Sequence, residues 1–217
     1  MNVVAVPVKD LVNAKQRLVR ALSPSERMAL ARAMLHDVLR ALTAAPLDAR
    51  WVITRDPEVT ATARDHGVGV VSEAVNQGHT AAVAAAQAAA IRAGARVFAT
   101  IPGDVPCVTA DEISALVARA VGQAPAVALA PSHSGLGTNG AALCPPGAMP
   151  LTFGEPSFDN HLKTARERGL VTHVLALPGL ALDVDGPADL PLLLARGAGT
   201  ESGRLLSRWS IAERLAG

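Results

Sequence analysis

Short β-branched apolar runs alternate along this chain with longer segments whose apolar residues recur every three or four positions. Val3 to Val8 is the first run and ends in Pro7-Val8-Lys9, which predicts a buried strand followed by a loop. Ser23-Pro24-Ser25-Glu26 then combines an N-cap serine, a proline at the first helical position and a glutamate at N3, a capping box that opens a helix. Met28, Ala31, Leu35, Val38 and Leu42 mark its apolar face. The same alternation predicts strands at Trp51–Thr54, Val68–Ser72 and Val97–Ile101. Between them fall a helix from Asp56-Pro57 to Gly67 and an Ala-rich helix from Thr80 to Ala93. Thr109-Ala110-Asp111-Glu112 is a second capping box, followed by a strand at Val127–Ala130 and a Gly/Ser/Thr/Asn-rich loop from Pro131 to Gly140. Farther on, short strands are expected at Ala141–Cys144, Val171–Leu175 and Leu182–Val184, with helices at Ser157–Arg168 and after Pro187. Alternating strands and helices predict an α/β layered fold with a mostly parallel central sheet. Residues 1–196 form one domain on this reading, and 197–217 a helical tail packed on that domain or on a partner subunit, as in a homodimer.

Composition sharpens the picture. Half of the 217 residues are apolar but only 2% are aromatic, so Ala, Val, Leu and Ile must build the core, which suits helices packed on a buried sheet. A formal charge of +1 lacks the basic excess of a nucleic-acid or anionic-membrane surface. No apolar stretch approaches the ~18 residues of a membrane span, and the N-terminus lacks the basic region of a signal peptide. Cys107 and Cys144 have no metal-site spacing and are too few for a disulfide framework, so a cytoplasmic location is expected.

Three constellations carry candidate chemistry. The chain has 20 Lys plus Arg, and two of its three lysines, Lys9 and Lys15, fall with Arg17 just beyond the first strand. Ligands of open α/β sheets bind outside the carboxyl ends of strands, so these cations are placed to receive phosphate; the competing reading is solvated surface charge. Asp104 follows an apolar strand in Pro102-Gly103-Asp104-Val105-Pro106, and Asp183 and Asp185 alternate in Asp183-Val184-Asp185. Such carboxylates suit Mg²⁺, which takes one or two of them plus substrate phosphates, although Asp185 is equally placed to cap the helix after Pro187. Gly135 to Gly140 and Phe153-Gly154-Glu155-Pro156-Ser157 add glycines and hydroxyls suited to an anion, with His161 one turn beyond Ser157.

In order, Pro7-Val8-Lys9, Ala14-Lys15-Gln16-Arg17-Leu18, Gly103-Asp104-Val105-Pro106, Gly137-Thr138-Asn139, Phe153-Gly154 with Ser157 and His161, and Asp183 to Leu190 resemble the CofC/FbiD family, the guanylyltransferases of coenzyme F420 biosynthesis. The resemblance implies a single-domain, Rossmann-like nucleotidyltransferase fold of the GT-A kind. It implies transfer of GMP from GTP to 2-phospho-L-lactate, phosphoenolpyruvate or 3-phosphoglycerate. Carried over by position, Asp104, Asp183 and Asp185 match metal positions for Mg²⁺, and Lys9, Thr138, Gly154 and Ser157 match positions that hold the phosphorylated acid. Lys15 and Arg17 resemble triphosphate ligands, and Lys9 and Asp104 the catalytic pair. One departure stands out: where the family has Leu-Asn-x-Ala, this chain reads Asn76-Gln77-Gly78-His79-Thr80-Ala81, which leaves the guanine preference open. Competing readings are a GT-A transferase of another nucleotide or a nucleotide sugar, and a nucleotide-binding module without catalysis.

Overall fold

The computed structural model describes residues 1–72 and 78–216. Seven strands, β1 (Asn2–Pro7), β2 (Ala49–Thr54), β3 (Gly69–Ser72), β4 (Val97–Thr100), β5 (Ala126–Pro131), β6 (Thr138–Cys144) and β7 (Val171–Val174), form one sheet in the order β3-β2-β1-β4-β6-β5-β7. Strand β1 pairs in parallel with β2 and β4, β2 with β3, and β5 with β7, while β6 runs antiparallel between β4 and β5. The fold is therefore α/β with a mostly parallel sheet.

Side-chain alternation along the strands divides the core between two layers. Val4 and Val6 of β1 face one apolar cluster, together with Leu35, Val38, Leu39 and Leu42 of α1 (Pro24–Ala44) and Ile113, Leu116 and Val117 of α4 (Ala110–Val121). That cluster also takes Val59 and Ala63 of α2 (Pro57–Asp65). Val3 and Ala5 face the other layer, where Ala82, Val83, Ala86 and Ala90 of α3 (His79–Arg92) and Ala165 of α5 (Ser157–Glu167) cover Phe98, Val127 and Leu143. Alanines on α3 keep that helix close to the sheet, so a core almost without aromatics still closes. Both capping boxes form: Ser23 Oγ accepts from the Glu26 N–H while Glu26 accepts from the Ser23 N–H, and Thr109 and Glu112 repeat the exchange.

The C-terminal part contains α6 (Pro178–Ala181), α7 (Asp189–Arg196), α8 (Glu201–Arg208) and α9 (Ile211–Ala216). A third cluster joins Leu18, Leu22, Leu30 and Met34 to Leu190, Leu193, Leu206 and Ile211, so α8 lies against α1 and α7. Buried Asp37 of α1 anchors that helix, accepting from the Glu201 and Ser202 N–H groups at 2.7 and 2.9 Å and from the Ser202 hydroxyl at 2.7 Å.

Three local expectations change. Leu182–Val184 is not a strand: the short turn α6 redirects the chain across the sheet's end, where Val184 N–H donates to the Asp104 carbonyl at 3.1 Å instead of joining a ladder. The expected Pro131–Gly140 loop is shorter, because Thr138 to Gly140 already belong to β6. Gly140 is there for packing, since a Cβ would lie 2.7 Å from Leu180 Cδ2 and 3.0 Å from Leu116 Cδ2. The helix foreseen after Pro187 begins at Asp189.

Candidate active site

Strand order places the cleft. From β1 the chain crosses outward to β2 and β3, whereas β4 pairs on β1's other side, so the carboxyl ends of β1 and β4 form a switch point where ligands of open α/β sheets bind. Two segments leave from there: residues 8–18 after β1, and Pro102-Gly103-Asp104 after β4. The first is shaped by 3₁₀ turns at Leu11–Asn13 and Gln16–Leu18 and anchored by the Leu11 N–H on Asp56 Oδ2 at 3.0 Å. Gly103 permits the two segments to touch, because a Cβ would sit 3.0 Å from Val8 Cγ2. Between them lies a cavity of about 620 Å³ whose walls include Lys9, Lys15, Arg17, His79, Asp104 and Asp185.

Lys15 is the centre of this arrangement. Its Nζ donates to Asp104 Oδ2 at 2.5 Å and to Asp185 Oδ1 at 2.9 Å, and its side chain is only 8% exposed. Burial alone would lower the ammonium's pKa, but the charges of Asp104 and Asp185 and their hydrogen bonds outweigh it and hold the pKa above the ordinary lysine value. Burial likewise pushes Asp185 up, yet Lys15, then Arg17 and Lys9, bring it below the usual carboxylate range. Arg17 reaches to 3.9 Å from Asp185 Oδ2 but is 79% exposed, at the mouth. Lys9 is exposed and has no hydrogen-bond or ion-pair partner among the described residues.

Asp183 stands behind this group rather than on the cavity wall. Asn139 Nδ2 donates to its Oδ1 at 2.9 Å and also to the Leu180 and Ala181 carbonyls, while His133 Nδ1 approaches to 3.5 Å. Burial, opposed by the Asn139 hydrogen bond and reinforced by the negative charges of Asp104 and Asp185, raises its pKa, so all three carboxylates share one field. Among the described residues, no three or more His, Cys, Asp or Glu side chains are gathered tightly enough to hold a metal unaided. Of the two roles open to Asp185, helix capping is not seen: α7 has Ala188 at its N-cap and no side-chain cap bond, and Asp189 Oδ2 instead accepts from the Asp185 and Gly186 N–H groups at 2.9 and 2.7 Å while the Asp185 carboxylate pairs with Lys15.

Thr138, Ser157 and His161 lie outside the residues lining the cavity and are tied to one another. The Thr138 N–H donates to Ser157 Oγ at 3.0 Å, and Thr138 Oγ1 is 2.9 Å from His161 Nδ1. Because the Thr152 N–H donates to His161 Nε2 at 3.0 Å, the ring proton sits on Nδ1 and is donated to Thr138. Burial drives the His161 pKa down to about 4, so the ring is neutral near pH 7. Gly154 is exposed, with φ +114. Asn76 and Gln77 of the divergent segment lie outside the described residues. Its remainder turns toward the cleft: His79 lines the cavity with its ring edge-on to Phe153, centroids 4.6 Å apart, and Thr80 Oγ1 accepts from the Phe153 N–H at 2.9 Å. Burial lowers the His79 pKa, against Asp104 and with Lys9.

Sequence reasoning did not single out His79, Asn139, His133 or Asp189 for the site. Gly78 marks the start of α3 and so puts His79 in its first turn, but nothing in the spacing aims that turn at the cleft. Nothing in the spacing of Asn139 or His133 marks their convergence on Asp183.

Two lysines, an arginine and converging aspartates meet at the switch point of a mostly parallel sheet, charges suited to a phosphate-bearing ligand, on a fold of the GT-A-like class. Solved structures agree on the fold: a chain from Desulfovibrio desulfuricans G20, assigned as a nucleotide-diphospho-sugar transferase, superposes with TM-score 0.79 over 99% of both chains at 14% identity. A nucleotidyl transferase from Methanothermobacter does so with TM-score 0.62 at 18% identity, over 90% of this chain and 96% of that one. The chain belongs to the family described as guanylyl transferase CofC-like, which it matches over residues 1–214. It is 41% identical over 211 residues to the phosphoenolpyruvate guanylyltransferase of Roseiflexus sp. (strain RS-1), covering 97% of this chain and 92% of that protein. It is 36% identical over 203 residues to the 2-phospho-L-lactate guanylyltransferase of Methanothermobacter thermautotrophicus, covering 94% and 88%.

Proposed function

We propose that this protein transfers GMP from GTP to a small phosphorylated carboxylic acid with release of pyrophosphate, a step of coenzyme F420 biosynthesis. Phosphoenolpyruvate is the first acceptor to consider, 2-phospho-L-lactate and 3-phosphoglycerate the next. The observation that carries the reading is the meeting of Lys9, Lys15, Arg17, Asp104 and Asp185, from three distant segments, on one cavity. Relatives named for this reaction on two of these acids support the substrate class.

A phosphate oxygen of the acceptor attacks the α-phosphorus of GTP, and the bond to the β-phosphate bridging oxygen breaks. No side chain need remove a proton, because the acceptor phosphate is already largely ionised near pH 7 (second pKa about 6). The difficulty is that both reactants are anions, so the protein's work is neutralisation and in-line positioning. Lys9, exposed and without a partner among the described residues, is available to the acceptor phosphate, and Lys15 and Arg17 are assigned to the triphosphate. Thr138, Ser157 and Gly154 belong to the acceptor side, where the His161 network fixes the hydroxyls.

Asp104 and Asp185 fit Mg²⁺: they are hard oxygen donors that already share one cation, the Lys15 ammonium, and this ion is commonly held by one or two carboxylates plus substrate phosphates. Asp183 adds negative charge behind them. When bound, the ion supplies charge neutralisation of the phosphates. GTP, CTP and ATP, each incubated with the three acids and followed by pyrophosphate release and mass spectrometry of the product, test the reading. A GMP-linked acid is expected. Release with another nucleotide alone, or none with any pair, refutes it.

A further inference from the structure

The proposed cleft must admit a divalent ion to a place where the protein already keeps a cation of its own. We propose that Lys15 is an exchangeable internal counter-ion: its ammonium occupies the seat between Asp104 and Asp185 in the nucleotide-free protein, and a divalent ion arriving with a triphosphate displaces it. The proposal rests on the reading of this cleft as a metal–nucleotide site.

Geometry makes the two occupants exclusive. Lys15 Nζ lies 2.5 and 2.9 Å from one oxygen of each carboxylate, and all three residues line the cavity. A Mg²⁺ ion bonds oxygen at about 2.0–2.1 Å, so binding those oxygens would put it in van der Waals contact with an ammonium. Two cations do not share the same pair of carboxylate oxygens at that separation. Lys15 also has the means to leave. Its backbone is in the left-handed region at φ 57 and ψ 42, a conformation a side-chain-bearing residue rarely adopts. The turns on either side of it, at Leu11–Asn13 and Gln16–Leu18, are single 3₁₀ turns with few backbone bonds to break.

The released ammonium needs a new anion. Within the cleft the other cations, Lys9 and Arg17, repel it, and the aspartates are taken by the metal, so the triphosphate is the partner that remains. Metal and nucleotide therefore bind with positive coupling, each stronger in the presence of the other. A purely structural ion pair would behave otherwise: its lysine would stay seated, and removing it would only weaken the protein.

Lys15→Met separates the two, because the counter-ion role predicts a gain. In nucleotide-free protein, Mn²⁺ titrated by electron paramagnetic resonance should bind the variant at least tenfold more tightly than wild type. Wild type should recover that affinity when the α,β-methylene analogue of GTP is added. Unchanged or weaker Mn²⁺ binding by a folded variant overturns the proposal. Should the variant not fold, wild type decides: acetic anhydride labelling of Lys15, read by peptide mass spectrometry, should rise at Mn²⁺ concentrations high enough to occupy the site without nucleotide, and fall again with the analogue. Labelling that stays unchanged while electron paramagnetic resonance shows Mn²⁺ bound refutes the exchange. Neither measurement needs turnover, so a protein that fails the pyrophosphate assay yet shows the exchange would overturn the proposed reaction and keep this inference.

Discussion

Replacing Asp104 by Asn removes one charge from the meeting point of Lys15 and Asp185 while preserving the side chain's size. The variant amide can still accept the Lys15 hydrogen bond through its oxygen, Asp185 keeps its own contact at 2.9 Å, and the Asp104 side chain is 29% exposed. Folding should therefore lose no more than about 1–2 kcal/mol, between the small worth of an exposed ion pair and the larger cost of breaking a buried one. Catalysis should lose far more. A unit charge acting on another ~4 Å away through an effective dielectric of ~20 is worth about 4 kcal/mol. At about 1.4 kcal/mol per tenfold change, that is roughly 10³ in turnover. The assay is steady-state pyrophosphate release from GTP with the best acceptor, with thermal unfolding measured in the same buffer. A variant that melts within a few degrees of wild type and turns over within tenfold of it would remove Asp104 from the reaction and refute the electrostatic argument.

Three further outcomes follow from the scaffold. Asp37→Ala deletes three hydrogen bonds to the start of α8 and should cost about 3 kcal/mol in urea unfolding, with amide exchange rising first around residues 200–206; an unchanged midpoint would show that α8 holds without it. His161 is 1% exposed, with its pKa lowered from 6.5 to about 4. The unfolded chain takes up its proton first as pH falls, so this residue's contribution is complete above pH 6.5 and fades by about 3 kcal/mol toward pH 4. His161→Gln should flatten that part of the stability–pH curve, and a variant with wild-type slope between pH 4 and 6.5 would contradict the buried neutral ring. Gly179→Ala would bring a Cβ to 2.2 Å from the Cys107 carbonyl oxygen and 2.5 Å from Glu112 Oε2, so it should cost about 1–3 kcal/mol and reduce kcat by shifting the segment that carries Asp183. Gly199→Ala, with nothing within 4 Å of the new methyl, is the control and should leave both unchanged.

What the sequence disclosed and what it hid divide along a physical line. Val3–Val6, Trp51–Thr54 and Val97–Ile101 are legible because a buried parallel strand must be apolar on both faces, and α1 and α4 because Ser23/Glu26 and Thr109/Glu112 satisfy their own orphan donors locally. Lys15 stands out as a candidate because two of only three lysines fall just beyond the first strand, and Asp104 and Asp185 because they sit in Gly/Pro-shaped turns. Leu182–Val184 misleads for a related reason: its apolar alternation reflects packing of Val184 against Leu18 and Leu190 in the third cluster, not pairing in the sheet. The partner of the Asp183 carboxylate could not be read, because Asn139 lies 44 positions away and the contact exists only once β6 and α6 are packed. Likewise spacing alone could not show that Asp185 leaves the start of α7 uncapped and pairs with Lys15, while Asp189 ties back to the Asp185 and Gly186 N–H groups.

The cleft brings together like charges that no local structure would tolerate, and the surrounding polar residues explain how it persists. Asp104, Asp183 and Asp185 repel one another, and burial first, then the charge of Asp104 and lastly that of Asp185, push the Asp183 pKa up. Each is held from behind: the Asp104 backbone by Val184, Asp183 by Asn139, and the Asp185 backbone by Asp189. Glu112 adds a tie across elements, since one of its oxygens completes the α4 capping box while the other accepts the Gly179 N–H at 2.7 Å. These bonds consume donors and acceptors of the scaffold, leaving the carboxylate oxygens facing the cavity to Lys15. The field inside the cleft is thus fixed before any ligand arrives, which is what preorganised electrostatic stabilisation requires. Positive charge answers that field at a single buried point, while Lys9 and Arg17 stay exposed at the rim. A site built this way favours a ligand that carries its own compensating cation over a bare polyanion. That preference follows from the arrangement of charges around Lys15, whichever phosphorylated acid the neighbouring loops select.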